Sequence, residues 1–248
     1  MLHALSVAVP GGRIAVHERG SGVPVVFLHG GTGTGAFDWG EIAERLAPRF
    51  RTVVLDLRGH GRSSHEGEDF GVVRFGLDTL HVLRALGLER AVLVGFSVGG
   101  NTLLALLARD PRPALALVTI GASARGDPAR VQEIMSGPWP DYLKELEHAV
   151  GSGPEYWREL RGLLAHDWAR NVVLADEDLR RITCPVLVCH GDRDRIQPLG
   201  YAEHLAAGLP DAELFVAEGA GHAVQLDEPE LFAETLERFL ARVLSGSR

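Results

Sequence analysis

The chain has 248 residues, 46% of them hydrophobic, and its 33 acidic against 25 basic residues give a formal charge of −8. Length and composition suit one large α/β domain that buries its own core without disulfide or metal staples. The acidic balance, with no run of Lys or Arg, argues against a nucleic-acid partner, and no apolar stretch approaches the ~20 residues of a membrane span.

The first ten residues lack a charged start followed by an apolar block, so no signal peptide and a cytoplasmic location are expected. Residues 6–9 (SVAV) and 13–17 (RIAVH), joined by Pro10-Gly11-Gly12, predict a hairpin. Then come short apolar runs: 24–28 (PVVFL), 52–57 (TVVLDL), 91–94 (AVLV), 115–120 (LALVTI), 185–188 (PVLV) and 213–216 (ELFV). Runs apolar on both faces are expected of strands covered on both sides, as in a parallel sheet. Helical patterns fall between them, over 40–47, 77–86 and 98–108, the last almost wholly apolar and therefore central. The final helix is expected to start at Asp227-Glu228-Pro229-Glu230, with Asp227 as its cap. This alternation predicts a doubly wound, mostly parallel α/β sheet with an N-terminal antiparallel hairpin.

One stretch breaks the rhythm. Residues 122–183 contain no convincing strand but hold Trp139, Trp157, Trp168, Tyr142 and Tyr156. They are expected to form a small helical cap inserted in a core of residues 1–121 and 184–248. Large aromatics supply apolar contact at little entropic cost, so Trp139, Trp157 and Trp168 are the candidate substrate-binding residues. Cys184 and Cys189, five apart in CPVLVC, should face opposite sides of a strand as small buried hydrophobes. No Cys/His ligand spacing is present, so no metal is expected.

The strongest chemical signal is Gly95-Phe96-Ser97-Val98-Gly99, a G-x-S-x-G directly after a strand and opening an apolar helix. Ser97 would sit on a sharp, strained turn that its flanking glycines permit, at a positive helix N-terminus. A serine nucleophile needs a base. Of eleven histidines, His222 follows Gly219-Ala220-Gly221 beyond the last apolar run, where ligand chemistry gathers in open α/β sheets. His81, His148 and His204 fall in helical stretches, and His3 and His17 in the hairpin. The base needs an acid. Asp192 and Asp194 both follow the 185–188 run; Asp194 lies further out on the loop and is the choice, while Asp192 is expected to order the turn through its own backbone. The oxyanion donors are assigned to the amides of Val98 and Gly31, with Thr32 as the near alternative. The glycine-rich 30–35 segment has neither the Gly-Lys-Ser/Thr ending of a phosphate loop nor correctly spaced dinucleotide glycines, so no cofactor is expected.

Four blocks, His29-Gly30-Gly31, Asp56 to Ser63 (DLRGHGRS), Gly95 to Gly100, and Gly191-Asp192-Arg193-Asp194 with Gly221-His222, together resemble the α/β-hydrolase superfamily nearly end to end. The order Ser, Asp, His is that of this superfamily. The resemblance implies that 56–63 is a structural turn, so Arg58 and His60 are not read as catalytic. The cap and its exit at 179–185 are similar to the small-capped carboxylesterase and biphenyl-hydrolase-like branches. Haloalkane dehalogenases and epoxide hydrolases carry Asp where Ser97 stands. Carbon–carbon hydrolases of the meta-cleavage type commonly have an aromatic where Ala223 stands, and perhydrolase-like members one where Gly31 stands. The expected activity is cleavage of a small apolar ester, thioester or lactone through an acyl-enzyme on Ser97, with a small molecule as the partner. Acyl transfer by the same triad, or a ligand receptor with slow turnover, are the alternatives.

Overall fold

Gly11 and Gly12 adopt positive φ values of 69° and 151°, which turn β1 (His3–Val9) back onto β2 (Gly12–Arg19) as an antiparallel hairpin. The computed structural model describes residues 3–66, 70–126, 128–139, 141–144, 146–148, 151, 153–171 and 174–245. β2 pairs antiparallel with β4 (Arg51–Leu55). Every later pairing is parallel, through β3 (Pro24–Leu28), β5 (Ala91–Phe96), β6 (Ala114–Ile120), β7 (Val186–Gly191) and β8 (Ala212–Ala217). The order is β1-β2-β4-β3-β5-β6-β7-β8. The chain leaves β3 towards β4 and returns on its other side as β5. That reversal opens a crevice at the carboxyl ends of β3 and β5, where ligands bind in open α/β sheets.

Both faces of the sheet are covered. Val25 and Phe27 of β3 pack with α1 (Gly35–Leu46) and α10 (Pro229–Ser245), and Trp39 lies 5.3 Å from the Phe27 ring and 6.1 Å from that of Phe232. Val26 and Leu28 pack on the other face with α2 (Val72–Ala85), α3 (Val98–Arg109) and α8 (Leu199–Gly208). Cys184 and Cys189 are unbonded thiols buried on these opposite faces.

β8 departs from the expected pattern. It is the sheet edge, and Leu214 and Val216 stay partly exposed. Helix starts also differ. α1 begins at Gly35, with the Thr34 hydroxyl accepting the Phe37 amide, and α2 begins at Val72, whose amide the Asp167 carboxylate accepts. Asp227 does not cap α10. It ends α9 (Val224–Asp227), and its carboxylate accepts the Gly221 amide at 2.8 Å.

Between β6 and β7 the chain forms α4 (Pro128–Ser136), α5 (Asp141–Lys144), α6 (Gly153–Asn171) and α7 (Asp176–Leu179). Val131, Leu160, Leu164 and Leu179 join the buried cluster of α2 and α3, so α4, α6 and α7 share the sheet's core. His148 is not helical: it bridges Gly151, and its Nδ1 accepts the Gly61 amide at 2.9 Å.

Candidate active site

Ser97 sits between β5 and α3. Its φ of 49° and ψ of −114° make it the one non-glycine residue with positive φ among the described residues. Such backbone is costly and persists only where surroundings impose it. The Ser97 amide donates to the Ile120 carbonyl at 2.7 Å, and its own carbonyl accepts from Asn101 at 2.9 Å. A Cβ on Gly95 would lie 2.6 Å from the Gly100 nitrogen, and one on Gly99 would lie 2.4 Å from the Leu28 carbonyl oxygen. The turn closes because both positions lack a side chain.

His222 stands on the loop between β8 and α9. Its Nδ1 lies 2.8 Å from Asp194 Oδ2, across the carboxyl ends of β7 and β8. The Asp194 carboxylate, buried beyond β7, also accepts the Ile196 and Gln197 amides at 2.7 and 2.9 Å through Oδ1. Burial would raise its pKa, but the hydrogen bond and charge interaction with His222 and the two amides outweigh burial and hold it below the usual carboxylate range. Asp192 does something else. Its Oδ1 accepts the Gly219 amide at 2.7 Å, so it ties the histidine loop to β7 and does not order its own turn.

Ser97 and His222 line one cavity of about 280 Å³. Gly30 to Gly33, the segment after β3, line it too. A Cβ on Gly31 would lie 2.8 Å from Val98 Cγ2, so the two residues assigned as oxyanion donors are neighbours. The Gly30 amide is taken by Asp38 Oδ2 at 2.7 Å. The Gly31 and Thr32 amides are engaged by none of the described residues. Val98 opens α3, where an amide has no partner within the helix. Two buried histidines hold the carbonyls of this segment. His29 Nδ1 lies 2.6 Å from the Gly30 oxygen, and His60 Nε2 lies 2.8 Å from that of Gly31.

The 56–63 block braces the segment after β3, outside the cavity's lining. Asp56 accepts the Gly35 and Arg62 amides at 2.8 and 2.9 Å. The buried Arg58 guanidinium meets Asp78 through two bonds of 2.7 and 2.8 Å and also reaches the Pro10 carbonyl. His60 is buried away from the cavity's lining.

The three tryptophans separate. Trp139 lines the cavity, and its indole N–H donates to the Ile134 carbonyl at 3.0 Å. Trp157 is buried behind it, edge-on at 6.1 Å, with the Arg161 guanidinium over both rings. The side chain of Trp168 lies outside the described residues. Sequence reasoning missed Leu143, Leu164 and Ile196, which add apolar wall, and Asp38 and Asp227, which add carboxylates. Asp38 lies in the first turn of α1, ahead of the 40–47 pattern that marks this helix in the sequence.

The family model described as "Alpha/beta hydrolase family" matches residues 25–235. A putative carbamate hydrolase RutD from Caulobacter sp. (strain K31) is 32% identical, with 87% of this chain and 90% of that protein covered. A 2-hydroxymuconate semialdehyde hydrolase from Pseudomonas putida is 27% identical, over 95% and 93%. Among solved structures, a thermophilic esterase from Thermogutta terrifontis superposes with a TM-score of 0.80 at 22% identity, covering 97% of this chain and 99% of that one. Est816, described as an N-acyl homoserine lactone degrading enzyme, gives 0.75 at 25%, over 95% and 100%. No helix among the described residues is long and apolar enough to cross a membrane.

Proposed function

The chain belongs to the alpha/beta hydrolase family, and from that premise we propose that it is a serine hydrolase cleaving a small apolar carboxylic ester, thioester or lactone. The observation that carries the reading is the 2.8 Å bond between His222 Nδ1 and Asp194, on a histidine that shares its cavity with the strained Ser97. With Nδ1 committed to Asp194, Nε2 is the nitrogen that takes the Ser97 proton as Oγ attacks the carbonyl carbon. Asp194 fixes this tautomer and stabilises the imidazolium. The oxyanion accepts from the amides of Val98 and Gly31, with Thr32 the alternative to Gly31. His222 then protonates the leaving group, an acyl-enzyme remains on Ser97, and a water deprotonated by His222 releases it.

The wall supplied by Phe37, Phe96, Leu143, Leu164 and Ile196 supports an apolar acyl group, and Trp139 is the tryptophan set to touch it. Trp157 acts by supporting Trp139. We treat residues 122–183 as the cap over this cavity. The relatives are named for carbamates, a semialdehyde and N-acyl homoserine lactones, which supports a carbonyl-directed hydrolase without choosing among substrates. A cytoplasmic location belongs to the same proposal; two unbonded thiols are compatible with it.

The test is labelling with a fluorophosphonate probe, followed by Ser97→Ala. We expect one label, on Ser97, and loss of ester hydrolysis by at least about a thousandfold with the fold intact. Labelling elsewhere, or a variant keeping more than a few per cent of activity, defeats the assignment.

A further inference from the structure

The proposed mechanism leaves one group in the cavity unused. Asp38, in the first turn of α1, is only 3% exposed, yet it lines the cavity together with Ser97 and His222. Its hydrogen-bond partner is the Gly30 amide on Oδ2, and among the described residues no Lys, Arg or His pairs with it. Burial pushes its pKa up to about 7, against the pull of the Gly30 amide. A buried carboxylate without a counterion is unfavourable. Accepting one amide does not explain the charge, because an asparagine oxygen would accept it equally well. Nor does the helix N-terminus, whose partial charge is weaker than that of a full counterion.

The rest of the cavity points the same way. Besides His222, its ionisable lining is acidic, Asp38 and Asp227, with no Lys or Arg among the described residues. Phe37, Phe96 and Trp139 line it as well, and aromatic rings attract ammonium groups; the Trp139 ring already carries one cation, the Arg161 guanidinium 5.0 Å from its centre. Asp38 binds the residue next to Gly31, so its negative charge opposes an oxyanion forming there unless a cation neutralises it. We propose that Asp38 is a specificity-determining residue that receives an ammonium group carried by the substrate's leaving group, so that, among esters and thioesters with an apolar acyl group, this cavity takes those of cationic, amine-bearing alcohols or thiols in preference to uncharged ones. The location relative to the reacting carbonyl rests on the serine-hydrolase reading; the ammonium site itself does not.

The test compares butyrylthiocholine with its uncharged isostere, S-(3,3-dimethylbutyl) thiobutyrate, by thiol release, in wild-type protein and Asp38→Asn. We expect wild-type kcat/KM to favour the cation by roughly tenfold or more, and Asp38→Asn to bring the ratio within about threefold of unity. A wild-type ratio near or below unity overturns the proposal. So does a ratio that survives in Asp38→Asn, whether activity is kept on both substrates or lost equally on both. Choline and 3,3-dimethyl-1-butanol, titrated calorimetrically into Ser97→Ala, give an answer without turnover. Tighter binding of choline by about tenfold supports the ammonium site even if no thioester is cleaved, in which case only the serine-hydrolase reading has failed. Equal binding overturns the site even if Asp38→Asn does not fold.

Discussion

Asp194→Asn separates a catalytic acid from a loop support. The asparagine oxygen can keep the Ile196 and Gln197 amides, so the backbone beyond β7 should hold. Its NH2 then faces His222 Nδ1, where Asp194 Oδ2 stood at 2.8 Å. Two donors cannot share that contact, so the imidazole turns over to the tautomer protonated on Nε2. That nitrogen can no longer accept the Ser97 proton. The expected loss is on the order of 10⁴ in kcat, about 5.5 kcal/mol of transition-state stabilisation. The stability change is smaller. Losing one charge-assisted hydrogen bond costs about 1.5–3 kcal/mol, which for a chain of this length lowers Tm by roughly 3–12 °C. Asp192→Asn, which retains an acceptor for the Gly219 amide, should cost less than about tenfold. The assay is p-nitrophenyl butyrate hydrolysis at saturation, with circular dichroism to confirm folding. Comparable losses in the two variants, or a larger loss at Asp192, refute the assignment of the acid.

Two further predictions concern the frame. Arg58→Met leaves the buried Asp78 carboxylate to Arg74 alone, 3.3 Å away, and should destabilise by about 2–3 kcal/mol in urea melts, with Asp78→Leu in the same chain restoring part of it; a loss below about 1 kcal/mol refutes the structural reading of the 56–63 turn. Burial lowers His29 to about 3 and His60 to about 4, and lowers His148 too, so the unfolded chain takes up more protons on these rings below about pH 6.5. Stability therefore falls as pH drops from 6.5 towards 4, by on the order of 2 kcal/mol per fully buried ring at pH 5. Asp38, raised to about 7, gains its proton over the same range and offsets roughly one ring. A net loss of about 2 kcal/mol between pH 7 and 5 is expected, and urea midpoints that do not fall would refute it.

The strands were legible because parallel strands buried on both faces must be apolar throughout, and 24–28 or 115–120 allow no other reading. β8 broke the rule because an edge strand has a neighbour on one side only. The strained turn at Ser97 was legible because a strand, a serine between glycines and an apolar helix are adjacent in sequence. What was not legible depended on partners far along the chain. The start of α2 is satisfied by Asp167, 95 residues away, and no local pattern encodes that. Asp227 satisfied the local rule for a helix cap, but the Gly221 amide on the histidine loop competes for the same carboxylate and holds it. His148 had helical neighbours in sequence and a turn amide, Gly61, in space.

The same long-range bonds bear on which amide would complete the proposed oxyanion hole. A trans peptide points its C=O and the following N–H in opposite directions. A histidine holding the Gly30 carbonyl therefore aims the Gly31 N–H away from itself, and one holding the Gly31 carbonyl does so for Thr32. His29 Nε2 accepts the Leu57 amide at 2.9 Å, so the ring proton must lie on Nδ1, on the Gly30 oxygen. Its tautomer has one solution. His60 has two carbonyls, Arg58 at Nδ1 and Gly31 at Nε2, and a neutral ring can donate to only one of them. The Gly31 amide is thus held by a determined hydrogen bond, and the Thr32 amide by a divided one. If Gly31 is the donor, His29→Ala should lower kcat by about 10²–10³ with KM little changed, since the bond matters only when the oxyanion forms, whereas His60→Ala should cost at most about tenfold. Steady-state kinetics on the two variants, each shown to be folded by thermal melt, decide between them. The reverse pattern would assign the hole to Thr32.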